Sequence, residues 1–186
     1  LMKLSQHRFL ESTNGETRMP NHTHNEVLIG TNTNGEQEIL ALQILKNDLG
    51  IKDGQFDFNG IIPMPKEMRM GSLIPYGKKE TKDHELVNGK YVPKDQKIRD
   101  KLVIKYGSDN WYDWACDHWG TKWNAYDVEI SQDHESTLQV DFLTAWDSPR
   151  EIVEKIFDYC RRYNLYLDWS AHHEGEEGFE QVRLLK

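Results

Sequence analysis

Residues 126–171 carry the pattern that most narrows the fold. Leu138, Val140, Phe142, Thr144 and Trp146 fall at every second position, which sets them on one face of a strand. Tyr126 to Ser131 alternate in the same way. Between the two runs, Gln132-Asp133-His134-Glu135-Ser136 reads as a turn, so the pair forms a hairpin. Ser148-Pro149-Arg150-Glu151 then has the form of a capping box with proline at the first helical position. Ile152, Val153, Ile156, Phe157 and Cys160 make the apolar stripe of the helix that follows, and Asn164 suits its end. Leu165, Leu167, Trp169 and Ala171 alternate in a last strand.

The earlier half supplies a matching unit. Glu26 to Gly30 is a strand, Asn32 to Gly35 a turn, and residues 36–49 a helix with Ile39, Leu40, Leu42, Ile44, Leu45 and Leu49, stopped by Gly50. The resulting order is β-α-insert-β-β-α-β. This predicts an α+β fold of the ferredoxin-like split β-α-β kind, an antiparallel sheet with both helices on one face. Residues 19–186 form one such domain, with an insert at about 51–124. Within the insert, Phe56 to Pro65 is irregular, because each residue before a proline is pushed out of helical space. Residues 71–93 are a polar excursion, a mobile loop or a hairpin around Asn88-Gly89. Residues 94–106 are helical, with Ile98 and Leu102 four apart. Ser108 caps a helix over 109–119 that puts Trp111, Trp114, Ala115 and His118 on one stripe.

Composition limits the function classes. No apolar run approaches the ~20 residues of a membrane span, so a cytoplasmic protein without membrane contact is expected. Residues 1–18 lack hydrophobic periodicity and read as a disordered or loosely attached extension. Two distant cysteines, Cys116 and Cys160, cannot hold an iron–sulfur cluster or a four-thiolate zinc site, and no cofactor is expected. The net charge of −8 is unevenly placed: residues 66–108 carry a net of +5 and residues 109–186 a net of −10. Lys78, Lys79, Lys82, Lys90, Lys94, Lys97, Arg99, Lys101 and Lys105 are the candidate phosphate contacts. Glu80, Asp83, Glu85, Asp95 and Asp100 are interleaved with them, which favours an ordinary solvated face. The acidic remainder can present a basic host protein with a surface resembling nucleic acid.

Trp111, Trp114, Trp119 and Trp123 lie within thirteen residues, with Lys122 beside them. Such rings stack on bases or anchor interfaces, but packing of the insert against the sheet is the favoured reading. On that reading, truncating Trp119 or Trp123 costs about 3–5 kcal/mol. His22 and His24 precede the first strand and His172 and His173 end the last, which in a split β-α-β sheet are neighbours. They form a weak candidate site for zinc or nickel, limited because alternation sends His172 and His173 to opposite faces. Phosphate-loop, Gly-x-Ser-x-Gly and His-Glu-x-x-His patterns are absent from the sequence. Cys116 and His118 point apart on a helix, so no catalytic residue is assigned and a non-enzymatic protein is expected.

Four motifs occur in order: Met19-Pro20-Asn21; Phe58-Asn59 with Ile61-Ile62-Pro63-Met64-Pro65; Trp119-Gly120-Thr121-Lys122-Trp123-Asn124-Ala125; and Phe142-Leu143-Thr144-Ala145-Trp146 with Ser148-Pro149. Over about residues 19–186 the chain resembles the YubB-like ferredoxin-like domain family of phages, prophages and plasmids. A tryptophan usual after that Pro-Asn is replaced by His22-Thr23-His24. The resemblance implies a ferredoxin-like fold, Met19 as the equivalent of the usual start, and an accessory gene of a mobile element. It implies no chemistry for these residues. Together these features lead to the expectation of an accessory protein that binds a macromolecule, foremost a counter-defence inhibitor of a CRISPR or restriction nuclease in a bacterial host. The competing expectation is a nucleic-acid-binding module using the sheet or the basic 78–105 segment.

Overall fold

A computed structural model of the chain describes residues 21–33, 35–72, 83–175 and 179–184. The 1–18 extension, Lys78, Lys79 and Lys82 lie outside the described residues. β1 (His22–Gly30) is the centre of a five-stranded antiparallel sheet. It pairs with β5 (Thr137–Ala145) on one side and β6 (Tyr166–His173) on the other. β4 (Tyr126–His134) and β7 (Glu180–Leu184) are the edges, giving the order β4-β5-β1-β6-β7. The fold is therefore α+β with an antiparallel sheet.

Alternation fixes the faces. Val27 and Ile29 on β1, Leu138, Val140 and Phe142 on β5, and Leu167, Trp169 and Ala171 on β6 are buried on one side. Both long helices pack there. α1 (Glu36–Asp48) buries Ala41, Leu42 and Leu45, and α5 (Arg150–Arg162) buries Ile152, Val153, Ile156 and Cys160. The Tyr159 hydroxyl donates to the Ala41 carbonyl at 2.9 Å and joins the two helices. Each fully buried aliphatic or aromatic side chain contributes roughly 1.5–3 kcal/mol. One slip of register would move the whole apolar set into water, so the pairing is strongly specified.

Between α1 and β4 the chain makes 3-10 turns at Ile51–Asp53 and Phe58–Gly60, then α2 (Lys66–Ser72). A hairpin of β2 (His84–Val87) and β3 (Lys90–Pro93) follows, then α3 (Gln96–Tyr106) and α4 (Trp111–Trp119). The hairpin turns through Asn88 and Gly89, both at positive φ (49° and 77°), as a two-residue primed turn requires. Phe56 from this segment stacks on Phe142 with centroids 4.5 Å apart, so the insert shares the sheet's core.

Five local expectations are corrected. The first strand starts at His22 rather than at Glu26, which brings His22 and His24 into the sheet. Asn110 caps α4, its side chain accepting from the Asp113 N–H at 2.9 Å, while Ser108 bonds to Asn110 instead. Ile98 faces solvent rather than pairing with Leu102. The capping box at α5 does not form: the Ser148 hydroxyl donates to Glu180 at 2.6 Å, because β7, unforeseen from the sequence, brings that carboxylate beside it. Trp146 does not continue the inward face of β5. Its φ of +72° turns the chain out of the strand and leaves the indole 47% exposed.

Candidate functional site

Two surfaces carry unexplained chemistry. The first is the open side of the sheet. β1 turns His24, Glu26 and Leu28 outward, opposite its buried residues. In the ladder, Glu26 stands directly across from Asp141 on β5, and Asp141 directly across from Glu129 on β4. Three carboxylates thus form one row over three neighbouring strands. Among the described residues none of the three joins a salt bridge; Asp141 accepts only a 3.4 Å bond from the Ser131 hydroxyl. Like charges directly opposite destabilise a sheet, so the row works against folding. Elsewhere on this face Asp168 is neutralised by Arg183, whose Nε lies 3.0 Å from both carboxylate oxygens.

The second is an aromatic cleft of about 440 Å³, lined by Asn59, Met64, Arg69, Trp111, Trp119, Lys122, Trp123 and Asn124. Trp114 and Trp119 are buried, and the Trp119 indole N–H donates to the Ile62 carbonyl at 2.8 Å. Trp119 packs edge-on against Phe58 (5.8 Å) and Trp114 (5.6 Å). Trp111 is half-buried and Trp123 is 38% exposed, so the cluster divides into two core rings and two rings at the surface. Trp123 is therefore not the core ring that the sequence spacing predicts. Gly120, at φ 79°, lets the chain turn after α4, where a Cβ would meet the Glu151 carboxylate and the Ser148 carbonyl.

Lys122 follows that turn. Its Nζ lies 4.5 Å from the Trp123 centroid, 4.6 Å from Trp146 and 5.6 Å from Tyr112. Burial lowers its pKa, and among the described residues it has no salt bridge. Burial likewise pushes Tyr112 up to about 12 and Cys116 up to about 11, the latter helped by Asp113 and Asp117.

The basic segment is less available than its charge suggests. Lys90 pairs with Asp113 at 2.5 Å, Arg99 with Glu85, and Lys105 with Glu67 at 3.4 Å. Lys94, Lys97 and Lys101 are exposed, the last two one turn apart on α3. The four histidines are close in the sheet but do not converge. His24 stands across from His172, whereas His173 faces Thr23 from the other side of the sheet, with Nδ1 3.0 Å from the Thr23 hydroxyl. His22 Nδ1 lies 2.7 Å from the Tyr126 hydroxyl.

Among the described residues the group able to gather three metal ligands is Asp147, His173 and Glu180. Sequence reasoning missed Glu180 because β7 was not foreseen, and Asp147 because only the fold sets it beside His173. Glu180 already holds Arg150, through Nε at 3.2 Å and a shorter contact from Nη2, as well as Ser148. Burial alone would raise its pKa, but the bonds from Arg150 and Ser148 hold it below the usual carboxylate range. Through Arg150 and Ser148, Glu180 staples the edge strand β7 to the start of α5.

No helix among the described residues is long and apolar enough to cross a membrane. No family model matches the chain, and no curated protein matches it. Among solved structures the chain is similar to the crystal structure of protein api92 from Yersinia pseudotuberculosis, of family DUF1281. The TM-score is 0.42 at 10% identity, over 89% of this chain and 95% of that one.

Proposed function

We propose that the chain is a ferredoxin-like accessory protein of a phage or other mobile element that acts by binding a basic macromolecular surface. Within that class the reading is a counter-defence inhibitor of a CRISPR or restriction nuclease. The ferredoxin-like assignment is supported by β1 lying between β5 and β6 while β4 takes the edge, with α1 and α5 in one core. The function is carried by one observation, the Glu129–Asp141–Glu26 row on the open face. Protein partners that handle nucleic acid present lysine and arginine, and a fixed line of carboxylates complements them while repelling nucleic acid itself.

The test is direct binding to purified nuclease effectors, compared between the native chain and the triple variant Glu26→Gln, Glu129→Gln, Asp141→Asn. A complex that weakens steeply with salt and is lost in the variant supports the proposal. Binding unaffected by the variant, or no interference with such effectors in cells, refutes it. A gel shift with single- and double-stranded DNA and RNA separates the rival reading, in which Lys97 and Lys101 contact phosphate.

A further inference from the structure

The aromatic cleft stands apart from the carboxylate row and has a chemistry of its own. Its walls are indole rings from Trp111, Trp119 and Trp123, flat surfaces that stack on planar ligands. Its volume of about 440 Å³ falls within the roughly 300–1,000 Å³ of small-molecule sites. It is too open to be a packing defect. Its polar groups among the described residues are two cations, Lys122 and Arg69, and two side-chain amides, Asn59 and Asn124.

Each polar group is held in place. The Arg69 guanidinium donates from Nη2 to Asn59 Oδ1 at 2.8 Å and from Nε to the Met64 carbonyl at 3.1 Å. Asn124 donates to Asp57 at 2.7 Å and accepts from the Phe58 N–H at 2.8 Å. Lys122 is fixed between the faces of Trp123 and Trp146, which attract the ammonium, and among the described residues it has no salt bridge. Trp146 takes this position at a φ of +72°, a conformation strained for a bulky residue. A half-buried lysine in an aromatic setting, with its pKa lowered by burial, gains most from a ligand anion.

We infer that this cleft binds a nucleotide, the base stacked on the indoles of Trp111 and Trp123 and the phosphate on Lys122. The shared chemistry is a planar base carrying a phosphate, whether as a free nucleoside monophosphate or as the 5′-phosphorylated end of a strand. The site uses neither the open sheet face nor the exposed lysines of α3.

The test is quenching of tryptophan fluorescence, backed by calorimetry, on titration of the full chain with AMP, adenosine and a short 5′-phosphorylated oligonucleotide. AMP is expected to give a saturating quench. Adenosine, lacking the anion, is expected to bind at least about tenfold more weakly. Lys122→Met keeps the apolar stem in its ring cage and is expected to weaken AMP to the level of adenosine, while Lys155→Met, at an exposed position of α5, leaves binding unchanged. Circular dichroism checks that the variants fold, and the AMP–adenosine comparison needs no variant at all. Tighter binding of the oligonucleotide than of AMP identifies a strand end as the source; equal or weaker binding identifies the free nucleotide. Absence of saturation with both AMP and the oligonucleotide, equal affinity for AMP and adenosine, or an unchanged affinity in Lys122→Met overturns the inference.

Discussion

Asp141→Asn should make the protein more stable, and by an amount set by the geometry of the sheet. Asp141 faces a carboxylate on each side, Glu26 on β1 and Glu129 on β4, whereas each of those faces only Asp141. Two unit charges about 6 Å apart in water repel by about 0.7 kcal/mol, and measured cross-strand pairs span about 0.2–1 kcal/mol. Removing the central charge relieves both repulsions, a gain of about 0.4–2 kcal/mol. Removing either outer charge relieves one, a gain half as large. The bond from Ser131 survives, since an asparagine oxygen still accepts it. The assay is urea unfolding of the native chain, Asp141→Asn, Glu26→Gln and Glu129→Gln at low salt and at 1 M salt, where the Debye length falls to about 3 Å. Three results are expected together: stabilisation by all three, a twofold larger effect at the centre, and loss of most of the gain in high salt. A central substitution no better than the outer ones, or a gain that survives 1 M salt, refutes the repelling row. Stability given up at a surface row that folding does not need is what a binding role predicts, so the same substitutions should weaken the partner complex.

Truncating Trp119 to alanine removes a buried ring, its bond to Ile62 and two edge contacts, and should cost about 3–5 kcal/mol; Trp123→Ala, at a 38% exposed ring, should cost about 1 kcal/mol, both read from unfolding midpoints. Glu180 has a folded pKa below its unfolded value, so its bond to Arg150 adds stability that is present above the ordinary glutamate value of about 4.3 and is lost as pH falls through the folded pKa. Glu180→Gln should therefore destabilise at pH 7, and the gap to the native chain should close on acidification through that window. Cys116, with burial raising its thiol to about 11, should react with iodoacetamide at pH 8 about 100-fold more slowly than an ordinary thiol of pKa 9, by timed mass spectrometry.

The parts of the fold that were legible in the sequence are those where one local rule decides. Alternation in 137–145 and 166–173 and the apolar stripe of α5 answer to period alone, and the hairpin at Asn88-Gly89 to positive φ, whereas α1 leaves Leu40 and Ile44 of its expected apolar set exposed. What stayed hidden depends on partners distant in sequence. Lys46, in the last turn of α1, is 3% exposed, and its ammonium donates to Asp133 Oδ1 at 2.7 Å, to the Thr137 carbonyl at 3.2 Å and to the His134 carbonyl. Only the hairpin arriving over α1 makes that burial tolerable. Glu180 is similar, since β7 is too short and too polar to announce itself and is specified by Trp169 across from Val182 and by the bond to Arg150. The candidate surfaces follow the same division. Trp111, Trp119, Lys122 and Trp123 were visible as a cluster because they are close in sequence, whereas Arg69, Asn59 and Trp146 join them only through the fold. The carboxylate row was invisible for a stronger reason. Glu26, Glu129 and Asp141 sit on three strands, each an ordinary outward residue of its own alternation, and only register makes them neighbours. A binding face assembled by register leaves no motif, so a specific surface can be one that only the strand pairing reveals.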